Sequence, residues 1–149
     1  MRETGMIGTI SENAAPNGRN QGQRMNLAVI DDDDDVRSAL GRLLRCLGHD
    51  VHLFASAEAF EQGPITVDCA IVDVRMPGIG GIKLCQRLRA GATPVPVVLM
   101  SGGSKGEVEL QSLAKLVPCV AKPFDCDTLI DAIGDAVSST AAQLESRVD

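Results

Sequence analysis

From Met25 onward the chain alternates between short unbroken apolar runs and longer segments whose apolar residues recur every three or four positions. The runs fall at about 26–31, 50–54, 68–73, 95–100 and 118–121. Apolarity without in–out alternation predicts strands covered on both faces, as in a parallel sheet flanked by helices. The segments between them predict helices, so the chain reads as repeated βα units of an α/β fold. The first predicted helix carries Val36, Leu40, Leu43, Leu44 and Leu47 on one stripe and stops at Gly48, a residue suited to a left-handed terminator. A second starts after Ser56 as N-cap and ends before Gly63-Pro64. A third spans about 81–90 with Ile82, Cys85 and Leu88 inward, and a fourth spans about 104–116 with Val108, Leu113 and Leu116 inward. The last begins after Asp125 as N-cap and packs Leu129, Ile130, Ile133 and Val137.

The flanks lack this patterning. Residues 1–24 are rich in Gly, Asn, Gln and Arg, too polar to offset the entropy of ordering, which predicts a disordered N-terminal tail. Residues 138–149 turn to small and polar types and predict a short C-terminal tail, leaving 25–137 as the one folded domain. A chain of 149 residues, 44% hydrophobic, has room for one such core and little more. The formal charge of −6 excludes a protein built to grip phosphate backbones or anionic membrane, so neither direct nucleic-acid binding nor membrane association is expected. The apolar runs fall well short of the ~18 residues of a membrane-spanning helix. Five cysteines, odd in number and without C-x-x-C spacing, predict buried reduced thiols in a cytoplasmic protein.

Chemistry collects at the ends of the predicted strands. Asp31 to Asp35 stand in a row after Leu27-Ala28-Val29-Ile30, and Asp73 ends the run Cys69-Ala70-Ile71-Val72. Ser101 ends the fourth strand and Lys122 follows the fifth. In open parallel sheets, ligands bind beyond the carboxyl ends of the strands, where strand order reverses. Carboxylates gathered there repel one another unless a cation joins them, and a hard, oxygen-seeking ion such as Mg²⁺ fits. A carboxylate can attack a phosphoryl group to form an acyl phosphate. That transfer demands positioning and charge neutralisation, which a metal ion, a lysine ammonium and a serine hydroxyl supply.

Plainer readings exist for each feature. Asp33 to Asp35 suit the electropositive start of a helix. The calcium-loop pattern fails because Val36 holds the sixth position, where glycine is needed. Ser101-Gly102-Gly103-Ser104-Lys105 lacks the glycine spacing of a P-loop. His49 and His52, three apart on an extended segment, point to opposite faces and share no metal.

Taken together, Val29-Ile30-Asp31-Asp32 with Val36-Arg37, Asp73-Val74-Arg75-Met76-Pro77-Gly78 with Gly81, Leu99-Met100-Ser101-Gly102 and Ala121-Lys122-Pro123-Phe124 resemble the receiver domain of bacterial two-component response regulators. The Asp-Val-Arg-Met-Pro-Gly and Lys-Pro-Phe motifs are most similar to regulators of the nitrogen-fixation type. The resemblance implies a flavodoxin-like (βα)5 doubly wound parallel five-stranded sheet of order 2-1-3-4-5. It implies that Asp73 accepts phosphate from a sensor histidine kinase. Asp32 and the backbone carbonyl of Arg75 would bind Mg²⁺ with Asp73, and Asp31 would act largely through water. Ser101 and Lys122 would hold the phosphoryl oxygens, Gly102 would leave the approach to Asp73 open, and a cis Lys122-Pro123 bond is expected. Such a domain is a phosphoacceptor signalling module that assists its own phosphorylation and dephosphorylation, and it signals to a downstream protein or through a homodimer.

Two departures fall on the usual output face. Cys119 stands three residues before Lys122, where receivers carry the Tyr or Phe of a rotating switch, and the chain contains no Tyr. Ser101 and Lys122 are 21 positions apart, one fewer than usual, with Pro118 between them. The switch therefore reads as Ser101 acting with Cys119. The leading expectation is a single-domain regulator, since about twelve residues follow the last predicted helix. The alternatives are the receiver of a longer DNA-binding regulator and a phosphorylation-independent interaction module. An aspartyl-nucleophile hydrolase ranks last, because Arg75 stands where its second acid would be.

Overall fold

A computed structural model describes residues 24–63, 66–102 and 117–148. Its order is β1 (Asn26–Ile30), α1 (Asp34–Cys46), β2 (Asp50–Phe54), α2 (Ala57–Gln62), β3 (Cys69–Asp73), α3 (Gly81–Ala90), β4 (Val97–Ser101), β5 (Cys119–Ala121) and α4 (Cys126–Val148). The helix expected over 104–116 and nearly all of the expected N-terminal tail lie outside the described residues.

The five strands form one parallel sheet of order β2-β1-β3-β4-β5. Leu27 lies opposite both Val51 and Cys69, and Ile30 opposite both Phe54 and Val72, so β1 is central and its end is level with the ends of its neighbours. From β1 the chain steps outward first to β2 and then, in the other direction, through β3 to β5. The reversal lies between β1 and β3, the crevice where such sheets take ligands.

The two-residue period of a strand sends alternate side chains into two cores. Leu27, Val29, Ile71, Val98 and Met100 pack beneath α1 and α4 with Leu40, Leu44, Leu129 and Ile133. Ala28, Ile30, Val72 and Leu99 pack beneath α2 and α3 with Phe60, Leu84 and Cys85. Each fully buried Leu, Ile or Val contributes about 1.5–3 kcal/mol, so both faces of the sheet hold the strand ends in place. The Phe54 and Phe60 rings meet edge to face, centroids 5.2 Å apart, and tie α2 to the sheet edge.

Local signals set the helix ends. Asp33 caps α1, its carboxylate accepting from the backbone N–H groups of Asp35 and Val36. At the other end Gly48 adopts φ 99°, with Gly48 N–H donating to Arg45 O and His49 N–H to Leu44 O, the paired bonds of a Schellman terminator. Ser56 caps α2 through Ala59 N–H, and Asp125 caps α4 through Thr128 N–H.

Several expectations change. The last helix does not stop at Val137 but runs to Val148. Ala, Gln, Leu and Glu in 141–145 are helix formers, and Thr140 is still buried, so the helix has both propensity and a surface to continue along. Leu47, assigned to the inner stripe, is 38% exposed because α1 has already ended beneath it. Gly41 is buried instead: a Cβ there would stand 3.1 Å from Leu53, so its bareness lets α1 close on β2. Cys69 and Cys85 are buried as expected, Cys119 and Cys126 are half-buried, and Cys46 is exposed, all as free thiols. Among the described residues no helix is long and apolar enough to cross a membrane.

Candidate functional site

The crevice between β1 and β3 gathers the sequence-predicted acids. Asp31, one residue past β1, is fully buried; its backbone N–H donates to Phe54 O, which continues the β1–β2 ladder to the rim. Its Oδ1 accepts from Asp33 N–H at 2.9 Å, a local turn that aims the carboxylate into the crevice. Arg37, one turn into α1, donates to the carbonyl of Asp31 at 2.7 Å and forms an ion pair with Asp34. Asp73 ends β3 and is buried, whereas Asp32 is exposed at the rim. One carboxylate oxygen from each of Asp31, Asp32 and Asp73 lies within 4.8 Å of the others.

Lys122 arrives from the far side of the sheet. Ser101 lies opposite Ala121 in the ladder and its carbonyl accepts from Lys122 N–H at 2.7 Å, which places the lysine beside the end of β4. The Lys122-Pro123 peptide is cis. The ammonium sits between the two buried acids, 3.1 Å from Asp31 Oδ2 and 3.2 Å from Asp73 Oδ1. Side chains 1%, 9% and 23% exposed make this a mostly desolvated cluster, where loss of the lysine would leave two acids uncompensated. Burial pushes the Asp73 carboxyl above its ordinary range, and the Asp31 charge adds to that against the opposing pull of Lys122. Burial also opposes charge on Lys122, but hydrogen bonds and attraction from Asp31 and Asp73 outweigh it and hold the ammonium protonated.

The site thus carries more negative charge than one lysine balances. An ion that takes oxygen ligands at about 2.1 Å spans oxygens up to about 4.2 Å apart, a span comparable with the spacing of the acidic trio. Oxygen-only donors suit that ion, and the donor set therefore fits the group that the resemblance implied.

The remaining expected residues are distributed around this centre. Gly102 flanks Lys122: a Cβ there would lie 3.4 Å from Lys122 Cδ, in ordinary contact with the lysine stem. Arg75 is exposed in the loop after Asp73. Cys119 packs its side chain against the core under α3, and its Sγ lies 3.5 Å from Val117 O. Burial raises the Cys119 thiol, and burial pushes Cys85 up to about 11 and Cys69 up to about 12, so these thiols stay protonated. Sequence reading gave no role to Glu58, whose Oε2 accepts from Ile79 N–H at 3.1 Å in the loop that follows Asp73. Its only sequence signal is a place in the first turn after the Ser56 cap, and nothing in that spacing says which loop it faces.

A doubly wound parallel sheet with three acids and a lysine converging at its switch point has the architecture of a signalling domain. The chain belongs to the response regulator receiver domain family, which it matches over residues 27–134. It is 38% identical over 117 residues to the transcriptional regulatory protein FixJ of Bradyrhizobium diazoefficiens, covering 75% of this chain and 56% of that protein. The FixJ protein of Azorhizobium caulinodans is also 38% identical, over 120 residues, covering 77% and 56%. Among solved structures, FixJ-N is similar with a TM-score of 0.68 and 28% identity, covering 78% of this chain and 95% of that one. A receiver domain protein from Clostridium thermocellum shares the fold, with a TM-score of 0.68 at 20% identity, covering 79% and 98%. The chain spans about half the length of the curated relatives it matches.

Proposed function

We infer that Asp73 is the phosphoacceptor of this receiver and that its donor is the phosphohistidine of a sensor kinase. The observation that carries this reading is the ammonium of Lys122 held at once by Asp31 and Asp73 beside a third acid, Asp32. In the transfer, a carboxylate oxygen of Asp73 bonds to phosphorus as the phosphorus–nitrogen bond breaks, and the imidazole leaves with the electron pair. Asp31, Asp32, Asp73 and the carbonyl of Arg75 would hold Mg²⁺, which when bound neutralises charge on the phosphoryl oxygens. Lys122 supplies positive charge from the opposite side, and its existing contact with Asp73 is the one a phosphoryl oxygen would take over. Ser101, at the end of β4, is within the same rim and offers a hydroxyl to another oxygen. Gly102 keeps the approach free of a side chain. These roles belong to a cytoplasmic signalling domain that assists its own phosphorylation and dephosphorylation.

For output we favour protein–protein contact, to a downstream partner or a second copy, by a switch in which Ser101 moves without an aromatic ring at Cys119. A second reading, the receiver of a longer DNA-binding transcription regulator, is supported by the named roles and greater length of the FixJ relatives. The phosphoacceptor is tested with acetyl phosphate as donor: labelling should need Mg²⁺ and vanish in Asp73→Asn. Equal labelling of that variant overturns the assignment.

A further inference from the structure

We propose that Glu58, on α2, is a positioning residue for the metal side of the site, acting through the loop that joins β3 to α3. This rests on the reading of Asp31, Asp32, Asp73 and the Arg75 carbonyl as the cation site.

The segment between Asp73 and α3 must hold a backbone carbonyl in place without regular structure of its own. Its ends are fixed by the sheet and the helix: Val74 N–H donates to Met100 O at 2.9 Å, and Gly81 N–H donates to Val74 O at 3.1 Å. Its middle is held from outside. Glu58 Oε2 accepts from Ile79 N–H at 3.1 Å, a partly buried bond across 21 positions of sequence. Gly78, next to it, has φ 75°, and a Cβ there would stand 2.6 Å from the same oxygen. The turn thus combines a left-handed residue with a bare flank, which lets the carboxylate come down on the backbone. Helix α2 in turn is capped by Ser56 and anchored to the sheet by Phe60, so the clamp stands on a fixed base. Partners hydrogen-bonded directly to metal ligands typically contribute about 10–100-fold in metal affinity; Glu58 acts one step further out, through Ile79, so a loss at or below the lower end follows.

A control residue stands on the same helix. Glu61 pairs with Arg87 of α3 at 2.9 Å on the surface, so Glu61→Ala loosens α2 without touching the loop. The chain has no Trp or Tyr, so Mg²⁺ binding is best followed by titration calorimetry on the intact protein. Glu58→Ala should weaken Mg²⁺ binding several-fold, up to about tenfold. Glu58→Gln, which keeps a carbonyl acceptor, should restore most of the loss, and Glu61→Ala should bind like the unaltered protein. Amide exchange of metal-free protein should show Ile79 protected and that protection lost in Glu58→Ala. Equal Mg²⁺ affinity in Glu58→Ala and Glu61→Ala, with Ile79 exposed only in the former, overturns the positioning role while leaving the metal site standing. Unchanged Ile79 protection in Glu58→Ala overturns the clamp itself. Failure of the unaltered protein to bind Mg²⁺ removes the cation site and this role with it.

Discussion

At the scale of single residues, the pocket is held in a charge state that the fold alone does not favour. Ionised Asp73 faces burial and the Asp31 charge, with Lys122 shared between the two acids. Its folded pKa is raised, so the stability it contributes is fully present below the ordinary carboxylate range and is lost as pH rises through the raised value. Asn cannot ionise. With EDTA present, Asp73→Asn should therefore raise Tm near neutral pH, and the difference should shrink to nothing below about pH 3. Thermal melts across that range check it, and a lower Tm for Asp73→Asn at neutral pH would contradict the assigned cause. Residue types at strand ends were enough to nominate Asp31, Asp32, Asp73, Ser101 and Lys122, because charged groups at the ends of apolar runs stand out against their surroundings. Glu58 and Arg37 were silent as site residues, since their contacts are with backbone that only folding brings near.

At the scale of elements, the join between β3 and α3 is the tightest seam near the site. A Cβ on Gly81 would stand 2.0 Å from the Asp73 carbonyl oxygen, so the start of α3 rests directly on the proposed phosphoacceptor. Gly81→Ala must push α3 away from β3, costing at least about 2 kcal/mol. The same shift should disturb Asp73. A chemical-denaturation midpoint unchanged in Gly81→Ala would show that the seam can relax. Helix starts and stops were the most legible elements: Ser56, Gly48 and Asp125 each act within a few residues of themselves. The end of α4 was not legible, because the pattern past Val137 is weakly apolar and the helix is sustained by the surface that buries Thr140.

At the scale of the whole molecule, the sheet order sets the site. Steps outward from β1 to β2 and then from β3 to β5 leave one crevice, and the ladder register brings Asp31 and Asp73 level on its two sides. A cation bound there stabilises only the folded chain, by about 2.7 kcal/mol when its concentration is a hundred times Kd. Mg²⁺ should accordingly raise Tm, and Asp32→Asn should lose most of that rise while Glu61→Ala keeps it. Equal rises in all three proteins would mean that the ion acts elsewhere. The sequence by itself determined the alternation of strands and helices, their caps, and the residues able to do phosphoryl chemistry, because each is written in local periodicity or residue type. Strand order entered only through resemblance to a family. Tertiary structure alone decided that Lys122 bridges Asp31 and Asp73, that Cys119 packs against the α3 core, and that Glu58 grips the loop after Asp73. Those contacts join residues far apart in the chain, and their distances are fixed by sheet register and helix packing, which no local pattern encodes.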